Sequence, residues 1–511
     1  MAEEKYDFII IGTGAGGGTL LHKLAPTGKR ILVLERGGFL PREKENWDTV
    51  QVFQKDRYHT DEEWKDHKGR SFHPGTGYWV GGNTKVYGAA LFRLREKDFG
   101  LVEHSGGVSP AWPISYKELE PYYTQAEKLY GVRGRRQMDR TEPKASEEYP
   151  FGPIKHEPRI QEIHNLLEKK GYNPFYIPLG VKLHDDMLES SKCIRCDTCD
   201  GFPCLVHAKS DADVDCVRPN MTMQNVELRT HAKVECLVTD ESGKRVETVV
   251  YSKDGEKHAV KGNTVVISCG AVNSAALLLA SANDKHPDGL ANSSGMVGRN
   301  FMKHNNGAIL GISSKPNPTV FQKTMAVNDF YWGDDEFKYP MGHVQLLGKV
   351  NKDMLAADAP AFAPGLVLDK MASHSVDWWI TGEDLPDPEN RVTLKDGKIH
   401  LHYTDNNLKG FDRLMKKWCD ILKEIECADY IVPHSLYFRK KIPLQAVGHQ
   451  CGTARFGEDP KTSVLDKNCR THDVENLYVV DGSFFPSSGA VNPSLTIMAN
   501  ALRVGEHLAK S

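Results

Sequence analysis

The sequence predicts an α/β fold in two intimately joined domains, on three observations. A strand–glycine–helix–strand unit opens the chain, a second strand–glycine–helix unit recurs near its middle, and a strand leading into an apolar helix closes it. The 511 residues also exceed what one compact core usually serves.

The opening unit is YDFIIIGTGAGGGTLLHKLAPTGKRILVLERGG, positions 6 to 38. FIII reads as a strand buried on both faces. Gly12, Gly14 and Gly17 follow as G-x-G-x-x-G, then helix-forming TLLHKLA, then a second buried strand, ILVLE, ending on Glu35. One glycine permits a tight turn, one lets backbone approach a pyrophosphate, and one allows close helix–strand packing. The helix N-terminus offers free N–H groups to phosphates, and Glu35 stands where a carboxylate accepts ribose hydroxyls. Together these predict a Rossmann-type dinucleotide site. The acid suits an unphosphorylated ribose better than NADP, and the unit alone does not separate NAD from FAD.

Further along, Gly81, Gly82 and Asn83 form a second small-residue loop, with Tyr87, Gly88 and Ala89 behind it. Such a loop lets backbone pack against a flat ring or a phosphate. HAKVECLV at 231–238 alternates like a strand. A hairpin turning at Asp254–Gly255 leads to the buried strand TVVIS, and Cys269, Gly270 and Ala271 open the next helix. At the C-terminus LYVVD ends on Asp481, and GSFFPSSGAVNP leads into the last helix. Nucleotide-binding pieces at both ends imply one cofactor domain interrupted by long insertions.

Composition narrows the function classes. Apolar residues make up 40% and charged residues 26%, ordinary for a globular chain. The net charge is −3 and no polybasic run occurs, so neither nucleic acid nor an anionic membrane is expected as partner. No stretch of eighteen apolar residues suggests a membrane span. No secretory signal is visible, so a cytoplasmic location with mostly reduced thiols is expected. The charged, irregular segments 40–72 and 134–150 read as solvated excursions.

In combination, the stretches 6–38, 75–99, 112–133, 229–304 and 444–510 resemble the glucose–methanol–choline family of FAD oxidoreductases. They cover roughly half the chain, in order. The resemblance implies a Rossmann-type FAD-binding domain plus a substrate domain with a sheet backed by helices. Residues 1–305 would be mainly the FAD domain, with a Cys-rich inserted loop at 193–216. Residues 306–443 would form the substrate domain, and 444–511 the catalytic motif and the return to the FAD domain. It places Gly12, Gly14, Gly17 and Glu35 at the ADP part of FAD, Gly82 and Asn83 near the pyrophosphate and flavin, Val234 at the adenine, and Asp481 near the ribityl and pyrophosphate. Some relatives carry FAD covalently on a histidine in the segment matching 78–89. This chain has none there, so a noncovalent FAD is expected.

Oxidising an alcohol removes a hydroxyl proton and a carbon-bound hydride, and the proton needs a base with a pKa near working pH. GHQCGTARFG at 448–457 resembles the family segment that carries the catalytic histidine, which makes His449 the expected base. The second family position falls at Asn492 in VNPSLT, where an amide orients the substrate oxygen. His304 is expected to anchor a loop, and Lys85 has no assignable role. The tryptophans of VDWWITGEDLPDPENRVTL, Trp378 and Trp379, offer flat faces for stacking on a sugar. Part of that segment resembles the sugar-oxidising branch. The expected reaction is oxidation of a ring hydroxyl of a pyranose, glycoside or related polyol, with O2 or a diffusing acceptor taking the electrons. An FAD dehydrogenase of alcohols or sterols serving a protein or quinone acceptor is one alternative, and a non-redox lyase on the same fold is another. The oligomeric state is not legible.

One cluster stands apart: CIRCDTCDGFPC, with Cys193, Cys196, Cys199 and Cys204 in C-x2-C-x2-C-x4-C spacing. It is close to a ferredoxin run but one residue longer and without the trailing proline. The second pair has the wrong spacing for a zinc knuckle. A thiol loop packed near the flavin is expected, with an iron–sulfur cluster, zinc or a disulfide as alternatives. His207 beside it is a further candidate ligand.

Overall fold

The structure is a computed structural model that describes residues 5–358, 364–427, 429–433, 444–446 and 448–510. Its first sheet is built by the runs that read as buried strands. Val226–Arg229, Ile31–Leu34, Lys5–Ile11, the end of Glu256–Ile267 and Leu477–Val479 lie side by side, all parallel. Ile9, Ile10, Leu32, Val33, Val265 and Val266 are fully buried, as a parallel sheet covered on both faces requires. The first half of Glu256–Ile267 instead pairs antiparallel with Val246–Lys253, which pairs with Lys233–Thr239. The helices Ala15–Leu24 and Ser494–Lys510 pack on each other, so the two ends of the chain close one domain.

The second sheet is antiparallel: Tyr430–Pro433, Asn305–Ile312, Ser375–Gly382, His343–Leu346, Met325–Val327 and Pro174–Tyr176. Alternation along each strand gives it two unlike faces. Ile309, Val344, Val376, Trp378 and Ile380 face the helices Pro158–Lys169 and Leu408–Glu424, whose Phe411, Leu414, Trp418 and Ile421 form an apolar stripe. The opposite face carries Asn306, His343, Gln345, Asp377, Trp379 and Thr381, and on it the His343 ring packs against Phe92 of the first core. The second sheet therefore draws on residues 158–176, well before position 306; neither that helix nor its three-residue strand announces a sheet partner in the sequence.

Trp378 is a correction. It is fully buried on the helix-backed face, its ring 4.8 Å from that of Trp418, so it is core and presents no face to a sugar. The charged segment 40–72 is likewise more structured than expected. Trp64–Asp66 and Ser71–Phe72 join Arg391–Lys395 and Lys398–His402 in a small sheet. Segment 134–150 is tied down by Arg136, which bonds Glu127 and Glu142, and by the Arg95–Asp139 ion pair. Among the described residues no helix is long and apolar enough to cross a membrane.

Candidate active site

The nucleotide cradle begins at the turn after the first strand. Gly12 adopts φ +96, and a Cβ there would sit 2.3 Å from Ser268 O, so only glycine fits this turn. The next helix starts at Ala15 with Gly14 as its cap, and no side chain caps its first N–H groups. Those groups are therefore available to an anion. Gly14 faces Gly82, where a Cβ would approach Gly14 Cα to 3.0 Å. Thr13 binds the parts together. Its N–H and its hydroxyl donate to Glu35 Oε2 at 3.1 and 2.6 Å, and its Oγ1 accepts from Gly81 N at 3.0 Å. Glu35 Oε1 accepts from Gly37 N at 3.0 Å and keeps spare capacity for a ribose hydroxyl. Burial pushes the Glu35 carboxyl above its ordinary value. Ala232 N donates to Glu35 O, which brings the strand bearing Val234 alongside. Asn83 donates to Thr76 Oγ1 at 3.3 Å. Asp481 spends its oxygens on protein: Oδ1 accepts from Ser483 N and Oγ, and Oδ2 from Gly270 N and Ser274 Oγ. Its task is to fix the two loops that flank the cradle. Open helix N–H groups, facing glycines and an acid with free acceptor capacity fit an adenine dinucleotide.

The structure also brings His449 and Asn492 together. Asn492 Nδ2 donates to His449 Nε2 at 3.4 Å, a long contact that an incoming oxygen can replace. On its far side His449 Nδ1 lies 3.0 Å from His304 Nδ1, and His304 Nε2 lies 3.2 Å from Ser488 O. A carbonyl only accepts, so His304 carries its proton on Nε2. Burial lowers the pKa of His304 and lowers that of His449 well below the ordinary histidine value, the latter helped by His304, Lys323 and His343, so both rings are neutral. A neutral His304 with Nε2–H presents a bare Nδ1. His449 must then donate through Nδ1–H, which leaves its Nε2 lone pair beside Asn492.

His304 does more than anchor a loop. It sits at φ +64, a costly conformation for a residue with a side chain. Asp384 holds it there by accepting from Lys303 N and His304 N at 2.8 and 2.9 Å. The neighbouring Glu383 accepts from Gly489 N at 3.1 Å and from Ser109 Oγ at 2.8 Å, fixing the loop that leads to Asn492. The sequence signal for this pair was EDLPDP, whose acids brace the segments that carry His304 and Asn492.

The Cys-rich loop docks on the second glycine loop. Gly201 N donates to Val86 O at 3.0 Å, and the buried Lys209 Nζ donates to Tyr87 O, Cys199 O and Phe202 O within 2.8 Å. Asp200 pairs with Lys323 at 2.8 Å beside Gly88. All eleven cysteines are free thiols. Cys193, Cys196, Cys199 and Cys204 line one cavity, and burial pushes the Cys193 and Cys199 thiols to about 11 and about 12. Among the described residues no group of three or more His, Cys, Asp or Glu side chains is arranged to hold a metal. Lys85 gains a role: it forms buried ion pairs with Asp211 and Asp213 at 3.0 and 2.9 Å.

Comparisons with known proteins agree with this fold. The N-terminal GMC oxidoreductase family model matches residues 6–306 and the C-terminal one residues 386–501. A 6'''-hydroxyparomomycin C oxidase of Streptomyces lividus is 30% identical over 99% of this chain and 92% of its own. A paromamine 6'-oxidase of Streptomyces fradiae is 30% identical over 99% and 91%. A fructose dehydrogenase large subunit of Gluconobacter japonicus is 28% identical over 98% and 97%. Among solved structures, pyridoxine 4-oxidase from Mesorbium loti superposes with TM-score 0.66 at 18% identity, over 98% of this chain and 99% of its own. A formate oxidase does so with TM-score 0.69 at 14% identity, over 100% and 98%.

Proposed function

The chain belongs to the GMC oxidoreductase family, and from that premise we propose that it oxidises a hydroxyl of a sugar, glycoside or related polyol to a carbonyl, with a ring hydroxyl as the first candidate. GMC oxidoreductases use FAD. In this chain Gly12, Gly14, Gly17, Glu35, Gly82, Asn83 and Val234 would hold it, noncovalently, with Asp481 fixing the loops around it. When bound, FAD supplies the acceptor for the carbon-bound hydride. The protein does the rest. Asn492 Nδ2 donates to the substrate oxygen and turns it toward His449, whose Nε2 takes the hydroxyl proton. His304 secures the tautomer that leaves this nitrogen bare. The relatives with printed sugar or aminoglycoside names, 30% and 28% identical along nearly the whole chain, support the substrate class.

One observation carries the reading: the hydrogen-bond relay from Ser488 O through His304 to His449, ending on the Nε2 that Asn492 contacts at 3.4 Å. The test is anaerobic mixing of the FAD-loaded enzyme with pyranoses, glycosides, aminoglycosides and simple alcohols, then reoxidation by O2 or a dye, with peroxide measured. Bleaching of the flavin band by at least one carbohydrate is expected, and His449→Ala should lower that rate about 10²–10⁴-fold. Unchanged turnover in the variant would sink the assigned base. A protein acceptor is the second reading, favoured by the docking of the Cys-rich loop on the glycine loop; reoxidation by dye but not by O2 would select it.

A further inference from the structure

The polar face of the second sheet ends against the catalytic pair. Asn306 Nδ2 donates to Lys303 O and His304 O at 2.9 and 3.3 Å, so the first row of this face is bonded to the residue that positions His449. In the sheet register Asn306 stands opposite Thr381, and Thr381 opposite His343. One step further along, Ala308, Trp379 and Gln345 form the next row on the same face. His343 Nε2, Gln345 Oε1, Trp379 Nε1 and Asn306 Oδ1 are all buried, and apart from the contact of the His343 and Gln345 side chains with each other none meets a partner. Leaving a buried polar group unpaired is costly, and such a set on adjoining rows exceeds what a core tolerates without a purpose. Trp378 Nε1 and Trp418 Nε1 are also unpartnered, but they lie on the opposite, apolar face.

The polarity of the row can be read. Asn328 Nδ2 donates to Asp139 Oδ2 and Thr141 Oγ1, so its Oδ1 faces His343 Nδ1 at 2.7 Å as an acceptor. His343 therefore carries its proton on Nδ1. Burial lowers its pKa to about 3, so the ring is neutral and Nε2 is a bare acceptor. The row thus offers acceptors at His343, Gln345 and Asn306 and a donor at Trp379.

We propose that His343, Gln345 and Trp379 are the specificity residues of this enzyme and that they read hydroxyl groups of a polyhydroxylated substrate next to the carbon being oxidised. A hydroxyl both gives and takes a hydrogen bond, so neighbouring hydroxyls can serve acceptors and donor alike. An ammonium group cannot accept from the indole N–H, and the tail of a simple alcohol leaves the whole row unpaired. Sites built to bond a hydroxyl reject analogues that lack it. The inference rests on the carbinol-oxidising reading of the centre.

The test uses the FAD-loaded enzyme with methyl pyranosides of the gluco, galacto and manno series, the monodeoxy analogues of the best of them, and 1-butanol. Gln345→Met and Trp379→Phe remove the polar atoms while keeping bulk. Each is expected to lower kcat/KM for the best pyranoside about 10- to 100-fold, mainly through KM, and to raise rather than lower that for 1-butanol, whose tail no longer strands the polar atom that was removed. At least one deoxy analogue should lose the same factor with the wild type and lose nothing more with the matching variant. Equal losses on pyranoside and butanol, or no loss on either, overturn the assignment while the carbinol reading stands. Butanol turnover without any pyranoside turnover does the same. A wild type that oxidises neither class overturns the assignment and the reading together.

Discussion

The Nδ1 of His304 lies 3.0 Å from the Nδ1 of His449, and Ser488 O claims the other nitrogen of His304. Two neutral imidazoles can share that contact in one way, with His449 donating. His304→Ala removes the acceptor and frees His449 to rotate or to hold its proton on Nε2, where it blocks proton uptake. The expected loss is about 10²–10⁴-fold in kcat, the size seen when a catalytic histidine loses the group that fixes its tautomer, with KM changed less than about threefold because no substrate contact is removed. His304→Asn keeps an acceptor and should recover part of the loss. Steady-state kinetics with the flavin content checked by absorbance decides it; a variant with full flavin and full kcat would contradict the relay.

Asn492 sits on the other nitrogen. Burial, then His304, Lys323 and His343, hold the His449 pKa well below 6.5. Below its pKa His449 is protonated and cannot take a proton, so activity is lost as pH falls through that value. The acid limb of log kcat/KM should therefore lie below the ordinary histidine range in the wild type. Asn492→Asp places a carboxylate 3.4 Å-neighbouring the basic nitrogen, and an opposite charge raises a histidine pKa. The acid limb is expected to move up by about 1 or more units, read from profiles between about pH 4.5 and 8.5, while Asn492→Ala lowers the plateau without moving the limb upward. An unmoved limb in Asn492→Asp would separate Asn492 from the base.

Much of the first domain was legible because its strands are buried on both faces and its glycines face steric demands that local sequence expresses: Gly12 at φ +96 against Ser268 is one. The motifs singled out His449 and Asn492, and the structure brings these two side chains together. What escaped were residues whose task exists only after distant segments meet. Asp384 acquires meaning when it bonds the backbone of His304, 80 positions away, and Asp200 when it meets Lys323, 123 positions away. The Trp378–Trp379 pair shows the same limit in miniature. Two adjacent tryptophans on a strand must face opposite ways, but only the packing of Trp418 says which one is core.

Gly88 links the Cys-rich loop to the glycine loop. A Cβ at this position would fall 1.8 Å from Asp200 Oδ1 and 2.1 Å from Lys323 Nζ. Gly88→Ala must therefore part the ion pair or shift the loop on which the cofactor is expected to lie. Overpacking of this kind costs about 1–3 kcal/mol. The expected outcome is a lower melting temperature and weaker FAD retention after gel filtration. Asp200→Ala in the same background makes room for the methyl and should restore part of the FAD content. Normal FAD retention in Gly88→Ala would show that the loop tolerates the shift and that the pair does not brace the cofactor site.

Asp98 gives stability a pH dependence that can be assigned to one carboxyl. Its Oδ2 accepts from Arg95 N at 2.7 Å and from Tyr331 OH at 3.0 Å, and Tyr331 OH in turn accepts from Ala490 N at 3.0 Å in the loop that leads to Asn492. Burial, then the charge of Glu383, pushes its pKa up to about 7, against about 3.9 in an unfolded chain. The folded state thus holds this proton more tightly than the unfolded state. The resulting stability is fully present below about pH 4 and is lost as pH rises through about 7. Asp98→Asn cannot ionise and should escape that loss. Between pH 5 and 8 the wild type is expected to lose about 2–4 kcal/mol more than the variant, the linkage value of a shift of this size. Thermal unfolding of the FAD-loaded enzyme at both pH values measures it. Because all other titrating groups are common to the two proteins, parallel curves would mean that Asp98 does not titrate in this range, and that the loop before Asn492 is held by a permanently charged acid instead.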